Sequence, residues 1–358
     1  MQRKGLGVAV VGSGRMGSLR ASLAAVHPAV AFLAVSDADR DRARGLAEKT
    51  GAQFYSDDNL EVISRPEVNA VIVSTSESAH ALPVIQALEL GKSVLVEKPI
   101  AMSLKDADHM LRVVAQTRGD LRVGYSRRFK RSYLLAKEQV LAGRLGQIVG
   151  ATLRAYNSRA QTLQVLERSP DATPVTFGMT YYVDIICWLL QGNPVVEVVA
   201  RGQKGVLKAA GYKADDVTWA ILTFADGAVV NLGADYALPA NYPTFGANSR
   251  VELLGTEGVI LIDDDNKDQI VYTERGIPHS YVPGHSLNTA FMGSTASGDW
   301  AQGDFWGPLA DETRSWLDHL ATGRPCSLTT AADARRTLEI TLAIEQAALS
   351  NQTIKLPL

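Results

Sequence analysis

Apolar runs along the chain alternate with stretches whose apolar positions recur every three or four residues. Residues 6–11 (LGVAVV) are continuously apolar, the pattern of a strand buried on both faces of a parallel sheet. Met16, Leu19, Leu23 and Val26 then recur at helical spacing until Pro28. Val30 to Val35 is a second apolar run, and residues 68–73 (VNAVIV) are a third. His80, Val84, Ile85 and Leu88 predict a helix that Gly91 stops. Val94-Leu95-Val96 predicts a strand, and Ser103-Leu104-Lys105-Asp106 reads as a capping box before Ala107, Met110, Leu111 and Val114. Leu121 to Tyr125 predicts one more strand. Strands and helices in alternation imply an α/β, doubly wound parallel sheet.

From about residue 123 the rhythm changes. Strand-like runs lie at 147–156, 195–202, 217–224, 227–235 and 249–262, separated by turn pairs such as Asp226-Gly227. One helical stretch runs from Tyr181 to Leu190 among them. Trp316, Leu317 and Leu320 mark another helix, stopped by Gly323, and a last helix covers roughly 331–349. The length of 358 residues fits about two domains. The expected division is 1–123, the α/β domain, and 124–358, an α+β domain.

Composition narrows the partners. The net charge of −2 shows no basic excess, so no nucleic acid is expected. Cys187 and Cys326 are too few for a disulfide framework, and no histidine or cysteine pair has metal-ligand spacing. Met1-Gln2-Arg3-Lys4-Gly5 is not followed by an apolar stretch of leader length, and no run approaches the roughly 18 apolar residues of a membrane span. A soluble, cytoplasmic protein with a small-molecule substrate and no membrane partner is expected.

The chemistry begins at Gly12-Ser13-Gly14-Arg15-Met16-Gly17, directly between a predicted strand and helix. Gly12 allows the tight turn, Gly14 lets a pyrophosphate approach the backbone, and Gly17 lets the helix pack on the strand. The N–H groups of Arg15 and Met16 open the helix toward the phosphates. Asp37 follows the second strand, 20 residues after Gly17, where a carboxylate accepts from ribose hydroxyls and repels a 2′-phosphate. NAD is therefore expected, with NADP left open by Arg40, Arg42 and Arg44. Ser74, Thr75 and Ser76, then Glu97 and Lys98, then Tyr125, Ser126, Arg127 and Arg128 also fall at strand carboxyl ends, where such sheets bind ligands.

The glycine turn, Ser74-Thr75-Ser76 with His80, residues 91–99 (GKSVLVEKP) and residues 124–129 (GYSRRF) together resemble the Gfo/Idh/MocA oxidoreductases. Residues 251–258 (VELLGTEG), Gly323-Arg324-Pro325 and Ala332-Asp333-Ala334-Arg335 extend the likeness over nearly the whole chain. The resemblance implies a Rossmann domain, a second domain with a large, mainly antiparallel open sheet used for oligomer contacts, and an active site between domains. It implies hydride transfer between a nicotinamide and a sugar, a polyol or a related cyclic alcohol or ketone, by a homodimer or homotetramer.

Lys98 is the first candidate for moving the hydroxyl proton and contacting substrate, because a positively charged nicotinamide nearby lowers a lysine pKa. The alternative is an ordinary lysine at a strand end. Many family members carry Asp-x-Gly-x-His-x-x-Asp, whereas residues 177–184 here read FGMTYYVD. Phe177 replaces the first Asp, Tyr181 replaces the His, and Asp184 remains. Tyr181 can serve as the proton donor or be a core aromatic beside Tyr182 and Trp188. Asp184 can orient a substrate hydroxyl or cap that packing. Tyr125 and Arg127 are candidate substrate contacts, although the charges at 127, 128, 130 and 131 also suit a solvated face. His80 suits either a cofactor contact or a structural place on its helix. The polar stretch Pro283–Gly307, with His285, Trp300, Phe305 and Trp306, suits a binding loop or an oligomer contact. Two rival functions stand: a dihydrodiol or aromatic-semialdehyde dehydrogenase with a tyrosine donor, and a dinucleotide-binding sensor or scaffold without catalysis.

Overall fold

The computed structural model describes residues 5–263, 269–279, 282–292 and 298–358, with the side chains of Gln269 and Met292 outside that description. Met1 to Lys4 of the opening segment and residues 293–297 of the polar stretch lie outside it. The chain forms two compact units. Met1–Phe129 joins Trp300–Leu338 in the first, and Lys130–Asp299 joins Glu339–Leu358 in the second. A single cut at 123/124 has no counterpart for this return of the chain, because nothing in local periodicity reveals which distant segments share a core.

In the first unit, β1 (Leu6–Val11), α1 (Arg15–Ala25), β2 (Val30–Ser36), α2 (Arg40–Thr50), β3 (Phe54–Ser56) and α3 (Asn59–Ile63) make the first half. The second half is β4 (Ala70–Val73), α4 (Ala81–Glu89), β5 (Ser93–Glu97), α5 (Leu104–Thr117) and β6 (Leu121–Gly124). Their order across the sheet is β6-β5-β4-β1-β2-β3, all parallel, with the short strand Thr329–Thr330 antiparallel at the β6 edge. The order reverses between β1 and β4, the switch point where dinucleotides bind. Every residue of β1 is buried, as its unbroken apolar run requires, and each valine wholly removed from water contributes about 1.5–3 kcal/mol. Met16, Leu19 and Leu23 of α1 pack with Phe305, Leu309 and Ala310.

The second unit is built on a seven-stranded sheet. Its strands are β7 (Ile148–Ser158), β8 (Val195–Gln203), β9 (Val217–Phe224), β10 (Val229–Leu238), β11 (Asn248–Gly255) and β12 (Val259–Asp263), plus Ile354–Lys355. The order is β12-β11-β7-β10-β9-β8 and then Ile354–Lys355, antiparallel throughout except for the β7–β10 pair. One face packs under α6 (Arg131–Leu141), α8 (Thr180–Leu189) and the end of the helix Ala331–Ser350, through Tyr133, Met179, Val183, Ile186, Ile340 and Ile344. In β9, buried and more accessible residues alternate, leaving Trp219 and Ile221 exposed. That alternation is expected of an antiparallel sheet covered on one side.

Three sequence expectations change here. The run 249–262 is two strands joined by a turn at residues 256–258, rather than one. The Pro283–Gly307 stretch contains strand Ser286–Met292, paired with Gln269–Pro278, and the hairpin Asp299–Ala301/Asp304–Trp306. It is therefore not a loop, and its alternation was too short to register as strand. The helix predicted from Tyr181 starts at Thr180 and continues a π-helical turn, Val175–Met179.

Candidate functional site

The glycine turn sits at the carboxyl end of β1, and each glycine has a different physical reason. Gly12 has φ +95°, and a Cβ there would lie 2.6 Å from the Ser74 carbonyl oxygen. A Cβ on Gly17 would lie 1.7 Å from the Gly12 oxygen, so that position is set by helix–strand packing. A Cβ on Gly14 meets nothing within 4 Å. No neighbour in the protein demands glycine there, which suits a position kept bare for a ligand.

Gly14 is also the N-cap of α1 and provides no side-chain hydrogen bond, whereas Asp39, Asp58, Ser103 and Ser158 cap α2, α3, α5 and α7 (Arg159–Arg168) with their side chains. The first turn of α1 thus presents its backbone amides where a phosphate would sit. Facing this turn, Ser74 Oγ is buried without a partner. The turn and the orphaned hydroxyl fit a dinucleotide pyrophosphate.

Asp37 accepts from the Ser13 N–H at 2.8 Å through Oδ2 and from the Asp39 N–H at 3.0 Å through Oδ1. It therefore braces the glycine turn, with lone pairs remaining for ribose hydroxyls. Arg40, Arg42 and Arg44 are exposed and pair with Asp57, Asp39 and Asp41. Thr75 and Ser76 follow β4 on the surface side of the same strand ends.

His80 is buried, with Nδ1 2.9 Å from the Pro99 carbonyl and Nε2 3.3 Å from the Thr75 carbonyl. Burial holds its pKa below the ordinary histidine value, outweighing the pull of those carbonyls, Glu97 and Glu77. A neutral ring has one N–H, which the shorter contact assigns to Pro99. Both ring nitrogens are turned to backbone carbonyls, and His80 ties the β4 end to the β5 end.

Glu97 and Lys98 close β5, and the Lys98–Pro99 peptide is cis. Lys98 is half-buried. Burial pushes its ammonium pKa down, Glu77 and Glu97 oppose this, and Arg127 adds to it. Glu97 Oε1 accepts from Arg20 Nε at 2.9 Å. Arg20 is wholly buried and also donates to Glu312 Oε2 at 2.6 Å and Thr313 Oγ1 at 2.7 Å. Breaking such a pair by removing one partner costs about 3–5 kcal/mol. Neither Arg20 nor Glu312 was singled out in the sequence, where each looks like a polar residue on a helix. The one available signal was an arginine three residues past Gly17, on the side otherwise occupied by Met16, Leu19 and Leu23.

Tyr125, Ser126, Arg127 and Arg128 are all buried at the β6 end, and Arg128 lies 3.9 Å from Asp333. Arg127 and Arg128 therefore do not form a solvated face. In the second unit, Tyr181 is partly buried against the core and Asp184 is fully buried on α8. Phe177, in the π-helical turn, packs edge-on to Tyr236 at 6.3 Å between ring centroids. A Cβ on Gly178 would reach Asn157 Nδ2 at 3.6 Å. Four buried polar atoms on the neighbouring elements have no partner: Arg159 Nε, Gln161 Oε1 and Thr162 Oγ1 of α7, and the Tyr236 hydroxyl of β10. α7 and β10 pack together through Leu166 and Tyr236. Buried polar atoms are normally paired, so this group is a candidate for hydroxyl recognition. The sequence reading missed it, because it ended the first strand at 156 and placed no helix at 159–168.

His285 Nε2 lies 3.2 Å from the Ala240 carbonyl, and its ring faces His279. Burial, then His285, lower the His279 pKa to about 4. Trp300 and Phe305 stack within their hairpin. Among the described residues, no three potential ligands gather for a metal, and no helix is long and apolar enough to cross a membrane.

Comparison with known proteins agrees with this geometry. A profile described as an oxidoreductase family with an NAD-binding Rossmann fold matches residues 6–125, and the GFO/IDH/MocA C-terminal domain matches residues 133–261. The chain is 30% identical over 279 residues to a myo-inositol 2-dehydrogenase of Thermotoga maritima, covering 75% of this chain and 78% of that one. It is 30% identical over 258 residues to an NAD(+) scyllo-inositol 2-dehydrogenase of Bacillus subtilis, covering 71% and 72%. The fold matches a scyllo-inositol dehydrogenase from Lactobacillus casei, solved with NAD(H) and scyllo-inositol, with a TM-score of 0.81 and 21% identity over 98% of this chain and 99% of that one. The chain belongs to the Gfo/Idh/MocA family of NAD-binding oxidoreductases.

Proposed function

We propose that the protein is an NAD-dependent dehydrogenase of a cyclic polyol, with Lys98 moving the hydroxyl proton. The observation that carries this reading is a half-buried lysine at the end of β5, its ammonium destabilised by burial, in the same unit as the bare Gly14 turn. The inositol dehydrogenases among its relatives support the substrate class. The bound nicotinamide would supply hydride acceptance. The protein's part is to hold that cofactor through Gly12–Gly17, Asp37, Ser74 to Ser76 and Ser126, and to take the proton from the reacting hydroxyl on Lys98 Nζ. Tyr125 and Arg127 are read as substrate contacts beside Lys98. Arg159, Gln161, Thr162 and Tyr236 are read as a hydroxyl-recognising group of the second unit. NADH absorbance with a panel of inositols, sugars and aromatic diols tests this. Turnover of aromatic diols alone would replace the substrate class, and tight NADH binding without any turnover would make the protein a sensor.

Tyr181 is read as the second proton-handling group, at the position of the family histidine. Tyr181→Phe is expected to lower kcat/KM by about 10²-fold, the lower range for a lost acid–base group. Turnover within about threefold of wild type, far below that range, would remove Tyr181 from the mechanism. Asp184, buried one turn further on, is read as orienting this part of the substrate.

Asp37 sets cofactor choice. Its carboxylate is expected to disfavour a 2′-phosphate, giving at least about tenfold preference for NAD, or roughly 1.4 kcal/mol. Asp37→Ser should erase most of that preference in paired NAD and NADP titrations. Equal affinities in the wild type would refute the assignment. Self-association into a homodimer or homotetramer is read onto the open sheet face that carries Trp219 and Ile221.

A further inference from the structure

Arg20 occupies a place that fold stability alone does not explain. Its guanidinium is fully buried yet spends its fork on two carboxylates, with Nε 2.9 Å from Glu97 Oε1 and Nη2 2.6 Å from Glu312 Oε2. Nη1 donates to Thr313 Oγ1, which donates in turn to the Leu309 carbonyl at 2.7 Å. The β6 strand gives way to this fork. Gly124 stands opposite Glu97 in the sheet register, and a Cβ there would lie 2.8 Å from Arg20 Nη2 and 3.2 Å from Glu97 Oε2. Segments distant in sequence thus converge on one guanidinium, and one of the two carboxylates that it holds, Glu97, directly precedes Lys98.

We propose that Arg20 is a positioning residue for Lys98: by holding and neutralising the Glu97 carboxylate in a buried fork, it keeps Glu97 from pairing with the Lys98 ammonium. The proposal rests on the reading of Lys98 as the proton-moving group. The charged groups around Lys98 are Glu77 before α4, Glu97 on its own strand and Arg127 after β6. His80, buried and held below its ordinary pKa, meets the Pro99 carbonyl next door. Within this set, Glu97 pairs with Arg20 at 2.8 Å. Without the guanidinium, its carboxylate would be buried with Lys98 as the adjacent cation. An unmatched opposite charge nearby favours the charged form of both partners. The lysine would then stay protonated to higher pH, where it can no longer accept a proton.

The test is a titration of Lys98 itself. Protein carrying 13Cε-lysine is followed by NMR against pH, with the Lys98 signal assigned by its absence from Lys98→Met. Arg20→Gln should raise the Lys98 midpoint by about one unit. Glu97→Gln should lower it, and Arg20→Lys, which keeps the charge, should leave it near wild type. A purely structural role would not move the two neutral variants in opposite directions. A folded Arg20→Gln with an unmoved or lowered midpoint overturns the proposal. If Arg20→Gln does not fold, an unmoved midpoint in Glu97→Gln overturns it instead. Retained turnover in Lys98→Met would sink the catalytic reading separately, since the titration shifts do not depend on turnover.

Discussion

Replacing Lys98 with methionine is expected to lower kcat/KM for polyol oxidation by about 10²–10⁴-fold, the range of a lost acid–base group. Methionine keeps the length and the apolar stem, so the half-buried site stays filled while the titrating group is gone. NADH binding should fall far less than turnover, because the glycine turn, Ser74 and Asp37 remain. The pH profile gives a second readout. Burial pushes the Lys98 ammonium down from the ordinary lysine range, with Glu77 and Glu97 resisting. Oxidation needs the neutral amine, so kcat/KM should rise as pH rises through the Lys98 pKa and level off above it. The rising limb should vanish in Lys98→Met. Stopped-flow NADH formation over a pH series measures both. A variant that keeps the limb and most of its turnover would transfer the role to another group.

The legible part of the fold was the part governed by local pattern. Unbroken apolar strands, helical spacing and the glycine turn placed β1, β2, β4, β5 and β6 and the helices α1, α4 and α5. The short β3, the helices at 131–141 and 159–168 and the hairpin strands near 290 were missed. Their apolar faces are narrow and broken by polar residues, as at Arg159, Gln161 and Gln164. The return of residues 300–338 to the first unit was also illegible, because Leu309 and Phe305 look like any apolar residues until they meet Leu19.

The candidate site divides the same way. Gly12, Asp37, Glu97 and Lys98 stood out because strand ends in a parallel sheet are where chemistry sits. His80 could be located but not oriented, since sequence does not say which carbonyls a buried ring will face. Arg20 was invisible for a different reason. Its partner Glu312 lies 292 positions away, and the local pattern, an arginine on an otherwise apolar helix side, does not say which residue it meets.

The glycine turn yields the second large effect, because its glycines answer to different constraints. Gly17→Ala should destabilise the protein by about 3 kcal/mol or more, at the upper end of overpacking costs, since the new Cβ would fall 1.7 Å from the Gly12 oxygen and backbone must move. Gly14→Ala meets no protein atom within 4 Å and has an ordinary negative φ of −68°. Its unfolding free energy should fall by no more than about 1 kcal/mol, the cost of alanine in place of glycine at an N-cap. Its methyl group would instead stand at the bare mouth of α1, where a pyrophosphate must approach the amides of Arg15 and Met16. NADH affinity should therefore fall by at least about tenfold, or roughly 1.4 kcal/mol. Denaturant unfolding and NADH fluorescence titration on the two variants separate these effects. The reading of Gly14 fails if its alanine variant binds NADH as well as wild type. The reading of Gly17 fails if its variant is as stable as wild type, because no rigid helix–strand contact would then have been in its way.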